Sequence, residues 1–257
     1  MIKRICVITL ALPLLLSGVA MAVPIDLSTW NACQYDFSGY QSPGNWVLSN
    51  NDETVTQTVN ADPSMYLNGI NQTSYEMDGT WQVTTTSDDD FMGFVFGYQD
   101  ASNFYLMDWK QNYQNEGSYG IGQEGFAIKK ISANSVGDLS ISDFWQSSGT
   151  SNTTILSSNF GGGTGWNDNT FYNFHLDFDP GVFSILVSQG SSELWNVTVN
   201  DSSFTSGEFG FYNFSQSSVE YSGFEQEGGI LIPEPITLFL LGGGLLGLFG
   251  FRKKRMS

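Results

Sequence analysis

The sequence predicts an all-β fold, an antiparallel β-sandwich. Three observations carry that expectation. Between Gly44 and Glu225 short segments alternate large apolar and small or polar side chains at the strand period of two, most plainly where Tyr172, Phe174, Leu176 and Phe178 interleave with Asn173, His175, Asp177 and Asp179. Gly, Asn, Ser and Asp clusters separate those segments, as turns require. No long stretch has helical periodicity outside two apolar runs near the termini.

Residues 1–22 read as a secretory signal peptide. Lys3 and Arg4 precede the apolar run Ile5 to Leu16, and Ala20-Met21-Ala22 supplies the small residues Ala20 and Ala22 of a cleavage site. Residues 23–43 form an N-terminal extension or a first strand, with aromatics at Trp30, Tyr35, Phe37 and Tyr40. Cys33 is alone in the exported part of the chain, so it is either inert or free to pair with another chain.

Asn45 to Leu48 and Val55 to Asn60 read as strands, Asp62-Pro63 opens a loop, and Met77 to Thr84 reads as a strand. Asp88 to Gln111 then reads as a β-hairpin with an acidic mouth. Its strands are Phe91 to Gln99 and Phe104 to Gln111, and Asp100-Ala101-Ser102-Asn103 forms the loop. A four-residue loop sets Phe94 opposite Trp109, Phe96 opposite Met107 and Tyr98 opposite Tyr105, all on one apolar face. The other face carries Gly93, Val95 and Gly97 against Lys110, Asp108 and Leu106, a shallow groove or the bed of a second layer.

Gly125 to Ile131 is a strand with Phe126 and Ile128 on one face, and Gly137 to Ser148 is a helical turn or a loop on the sheet edge. Gly149 to Gly165, rich in Ser, Thr, Asn and Gly, reads as a long surface loop. The meander that follows comprises Tyr172 to Asp179, Val182 to Gln189, Leu194 to Asn200, Glu208 to Phe214 and Val219 to Phe224.

Residues 230–257 carry a second address. Pro233-Glu234-Pro235 precedes the apolar run Ile236 to Phe251, and Arg252-Lys253-Lys254-Arg255 follows. Basic residues after such a transmembrane run place the C-terminus in the cytoplasm. This tripartite tail resembles the PEP-CTERM sorting signal of Gram-negative bacteria. The resemblance implies an inner-membrane-anchored precursor, cleavage near the Pro-Glu-Pro by an exosortase, and release to the outer surface or extracellular matrix. It also implies company with exopolysaccharide production.

The hairpin carries a second resemblance. Asp88–Asp90, Gly93-Phe94, Phe96-Gly97-Tyr98-Gln99, Phe104-Tyr105 and Trp109-Lys110-Gln111 match the hallmark of the C-terminal lectin-like domain of thrombospondins. The likeness extends from Gly44 to Glu225 within a domain of residues 44–229, and Gly165-Trp166 matches a Gly-Trp step of that family. It implies a jelly roll of the legume-lectin (concanavalin-like) type, calcium dependence and a part in cell adhesion. In thrombospondins this domain follows calcium-binding repeats and EGF modules. This sequence shows neither, so functions that depend on them do not carry over.

Between the two addresses, 25 acidic side chains face the three lysines Lys110, Lys129 and Lys130, a net charge of −22. Nothing there neutralises a phosphate backbone, so no nucleic-acid partner is expected. Divalent cations and neutral or cationic polysaccharides fit better.

Asp88, Asp89 and Asp90 repel one another unless a cation sits among them, and calcium takes six to eight oxygen ligands. They are the expected calcium (Ca2+) ligands, with Asp62 as a fourth from a neighbouring loop. Trp166, beside a glycine-rich loop, is the candidate exposed platform for a sugar ring, and Asp108 and Lys110 are candidate glycan contacts on the groove face. Trp109 and Trp195 read as core.

Enzyme chemistry has little support. His175 is the lone histidine, so neither a catalytic triad nor a His-based zinc site can be assembled. Glu76-Met77-Asp78 begins a glycosidase-like carboxylate pattern, but Trp81 stands where its last glutamate belongs. The expectation is an exported calcium-binding, lectin-like domain that adheres to polysaccharide or matrix proteins. A purely structural surface protein and a cryptic glycosidase are the alternatives.

Overall fold

The structure, a computed structural model, describes residues 23–37 and 39–225. The expected signal peptide (residues 1–22) and the sorting tail (residues 230–257) lie outside them. The strands are β1 (Val23–Pro24), β2 (Asn31–Gln34), β3 (Trp46–Ser49), β4 (Thr54–Gln57), β5 (Ser64–Leu67) and β6 (Tyr75–Val83). The central hairpin is β7 (Phe91–Asp100) and β8 (Asn103–Lys110), followed by a small ribbon of β9 (Gln114–Glu116) and β10 (Gly120–Gly122). After β11 (Gly125–Ser132) come a 3-10 turn (Val136–Asp138), helix α1 (Ile141–Trp145) and β12 (Thr153–Phe160). The chain continues through β13 (Phe171–Asp179), β14 (Val182–Gln189), β15 (Ser192–Val199), β16 (Glu208–Phe214) and β17 (Val219–Glu225).

Two large antiparallel sheets face one another. One runs β15-β14-β13-β6-β17-β4-β3, with β1 added to β17, and the other runs β12-β11-β8-β7-β16-β5-β2. The period-2 apolar residues of both sheets meet between them. Trp81 stacks on Phe174 at 4.8 Å, and Trp109 stacks on Phe126 at 4.2 Å. Trp195 extends that stack at 5.1 Å, so Trp109 and Trp195 are core as the alternation predicts.

The outer face of the second sheet is also covered. Leu139, Ile141, Phe144 and Trp145, with Tyr35, pack on Phe91, Val95, Phe104, Leu106, Tyr212 and Phe214 to form a second core. The 3-10 turn and α1 thus lie across the sheet face rather than along its edge. Ser140 and Asp143 form a capping box that starts the helix there.

Two expectations are corrected. The hairpin register is different: Phe94 lies opposite Met107, Phe96 opposite Tyr105 and Met92 opposite Trp109. Only Ala101 and Ser102 form the loop, while Gly97, Tyr98 and Gln99 lie opposite the single residue Phe104. Gly97 takes the left-handed backbone that such a bulge needs (φ 55°), and the bulge turns Tyr98 to the outer core, 5.8 Å from Phe104. Residues 153–160 are not loop but the edge strand β12, paired with β11 through a bulge. Its side chains are mostly exposed or half-buried, so no apolar alternation marks it.

Candidate functional site at the hairpin mouth

Asp88, Asp89 and Asp90 lead into β7, and an oxygen of each lies within 4.8 Å of the others. The three are not equivalent. Asp90 is almost fully buried and pairs with Lys110, the last residue of β8, across the base of the hairpin. The Lys110 ammonium also donates to Gln114 Oε1 and, at 3.1 Å, to the Asp89 carbonyl, and it lies 3.7 Å from the Asp89 carboxylate. The rings of Phe91 and Trp145, 5.0 and 4.9 Å away, complete the cage of this fully buried lysine. Burial raises the Asp90 carboxyl above the ordinary aspartate range, and Lys110 opposes that rise.

Among the described residues no ammonium lies within ion-pair distance of Asp88. Its carboxylate accepts from the Asn60 side-chain amide, and burial, followed by the Asp90 charge, pushes it up to about 6. Asp89 is the most accessible of the three ion-pair-forming groups here, with 27 % of its side chain exposed. Charge is thus compensated at Asp90, partly offset at Asp89 by Lys110 at 3.7 Å, and left over at Asp88. Hard, clustered carboxylate oxygens with uncompensated charge fit calcium. Asp88 and Asp89 would hold it, with an Asp90 oxygen as a third ligand.

Asp62 stands apart from the group of three. It is buried and accepts the Phe37 amide at 2.9 Å. Its loop does reach the triplet, but through Asn60.

The backbone around the triplet is anchored from three sides. The Asp90 amide donates to Gln216 Oε1 at 3.0 Å, and the Gln111 amide donates to the Asp89 carbonyl at 3.2 Å. The indole of Trp166 donates to the Asp90 carbonyl at 3.0 Å.

Residues 41–228 match the thrombospondin C-terminal region. The chain belongs to the thrombospondin C-terminal region family. Thrombospondin-3b of Danio rerio is 30% identical over 203 residues, covering 76% of this chain and 22% of that protein. Thrombospondin-2 of Gallus gallus is 30% identical over 191 residues, covering 71% of this chain and 16% of that protein. The chain therefore spans about a fifth of the length of these relatives. Residues 231–255 match the PEP-CTERM protein-sorting motif. Among solved structures, the Ca2+/Man3GlcNAc-bound exoplasmic/lumenal domain of VIP36 aligns with a TM-score of 0.48 at 11% identity, covering 80% of this chain and 89% of that one.

In this thrombospondin C-terminal domain the candidate glycan contacts fall inside the protein. Trp166 is 1% exposed, because its indole faces the Asp90 carbonyl rather than solvent. Lys110 belongs to the Asp90 cage. Asp108 pairs with Lys129 at 2.8 Å beneath α1, and Lys129 also donates to the Phe144 carbonyl. None of the three presents a surface to a sugar. The groove face expected to carry Asp108 and Lys110 is the bed of the second core.

Sequence reasoning missed Asn60, Gln114, Lys129 and Gln216. Lys129 had a visible signal, since a lysine in an otherwise apolar strand needs a carboxylate partner; it reaches Asp108 diagonally, as Asp108 lies opposite Ala127 and Lys129 opposite Leu106. His175 lies on the outer face of the first sheet, where its Nδ1 is 2.8 Å from Asp78 Oδ1. That hydrogen bond raises its pKa above the ordinary value.

Proposed function

We propose that this protein is a non-catalytic, calcium-binding, lectin-like module that is exported to the bacterial surface and adheres there to polysaccharide or matrix proteins. The observation that carries the reading is the uneven triplet. Lys110 satisfies Asp90 and reaches Asp89 only at 3.7 Å, while no ammonium among the described residues pairs with Asp88. A calcium ion there offsets their repulsion and holds β7 to the Asn60 loop.

The PEP-CTERM motif supports the rest. The precursor sits in the inner membrane with Arg252–Arg255 on the cytoplasmic side. An exosortase cleaves near Pro233-Glu234-Pro235 and sends residues 23 onward to the cell surface. His175 pairs with Asp78 on the outer face of the first sheet, where the other charged groups acting on it are the carboxylates of Glu76 and Asp177.

Co-sedimentation of the full chain with insoluble bacterial exopolysaccharide, in calcium and in EDTA, tests this reading. Calcium-dependent retention is the expected result. Equal, low retention in both conditions would favour a structural surface protein with no glycan ligand.

A further inference from the structure

We propose that a cavity at one end of the sandwich binds one neutral sugar residue of a polysaccharide, an assignment that rests on the lectin-like reading above. The cavity, of about 300 Å³, opens where the edge strands β12 and β15 approach one another. That is the lower end of the range of small-ligand sites, about 300–1,000 Å³.

Its chemistry selects the ligand. Trp109, Phe126 and Tyr172 close the floor, and Leu194 forms one wall. Asn159, Asn167 and Gln189 line the rim, and no ionisable carboxylate or ammonium joins them. Among the described residues the side-chain amides of Asn159 and Gln189 have no hydrogen-bond partner, and that of Asn167 has the Tyr172 hydroxyl at 3.4 Å. A carboxamide both donates and accepts, as a sugar hydroxyl does. The half-buried Leu194 suits the C–H face of a pyranose, while the buried rings of Trp109, Phe126 and Tyr172 only close the floor beneath it. An apolar ligand would make no use of the three rim amides. An anionic one would meet no positive charge in a chain of net charge −17.

The walls are already in place. The loop of residues 161–167 carries Gly163, Thr164, Gly165 and Asn167 to the cavity, and three anchors fix it. Trp109 Nε1 donates to the Thr164 carbonyl at 2.8 Å. The Glu124 carboxylate accepts the amides of Gly163 and Gly165. Trp166 is tied to Asp90. A loop ordered in advance spends little binding energy on its own immobilisation. The last anchor also joins this cavity to the acidic triplet, so an ion at the triplet steadies the wall.

The test is a titration of the full chain, in zwitterionic detergent without sugar headgroups, with methyl glycosides of glucose, galactose, mannose and N-acetylglucosamine, followed by NMR saturation transfer. Binding of at least one glycoside is expected. Gln189→Ala should weaken it about three- to tenfold, the loss of one hydrogen bond. Leu194→Trp fills the cavity and should abolish it. Gln189 lies at an exposed strand end and keeps the test valid if Leu194→Trp fails to fold.

Failure of all four glycosides to bind, or binding unchanged in both variants, overturns the assignment. Retention of exopolysaccharide distinguishes the two levels. If wild type and Leu194→Trp are retained alike, the cavity assignment falls and the lectin-like reading stands. If neither is retained, both fall.

Discussion

The Trp166 indole donates a 3.0 Å hydrogen bond to the carbonyl of Asp90, joining the glycine-rich loop to the acidic mouth of the central hairpin. Trp166→Phe keeps most of the apolar bulk and removes the donor, leaving a buried carbonyl without its partner. The expected cost is about 1–3 kcal/mol, measured as a lower denaturant midpoint at unchanged slope.

The same loop is pressed against the hairpin. A Cβ built on Gly165 would lie 1.9 Å from the Gln111 carbonyl oxygen. Gly165→Ala must therefore displace backbone, and its thermal midpoint should fall further than that of Trp166→Phe.

Lys110 and Asp90 make a third prediction. Lys110→Met leaves a buried carboxylate without its counter-charge and should cost about 3–5 kcal/mol. Adding Asp90→Asn to that variant should recover much of the loss, because the penalty lies in the unpaired charge. Paired denaturation curves of the single and double variants read this directly.

His175 predicts a pH dependence. Its folded pKa is raised chiefly by the hydrogen bond to Asp78, with burial opposing. The pair therefore contributes stability that is complete below the unfolded value of about 6.5 and fades as pH rises through the higher folded value. As the only histidine in the chain, it gives one set of imidazole proton signals. Their NMR titration midpoint should lie above 6.5 and fall towards it in Asp78→Asn.

Legibility in the sequence followed burial. The strands with one core-facing side, such as Tyr172 to Asp179, could be read from alternation because the other side is wet. The edge strand β12 could not, since no consistent face of Thr153 to Phe160 is buried. The hairpin register was hidden by the bulge at Gly97, which adds residues without changing composition. The acidic triplet was legible as a cluster of charge. That Lys110, twenty residues on, neutralises one member depends on strand pairing, which charge alone does not reveal. Trp166 looked exposed because its sequence neighbours are small and polar; its burial comes from residues far away in the chain.

The most direct test of the account is thermal unfolding of the full chain in calcium, magnesium and EDTA, for wild type and Asp88→Asn. Calcium at about 100 times its dissociation constant should add about 2.7 kcal/mol, a rise of roughly 5–10 °C for a domain of this size. Magnesium should give much less, and Asp88→Asn should remove the calcium response. No shift, or an equal shift with magnesium, would contradict the account. The triplet would then be a solvated acidic face with Lys110 as its built-in counter-ion.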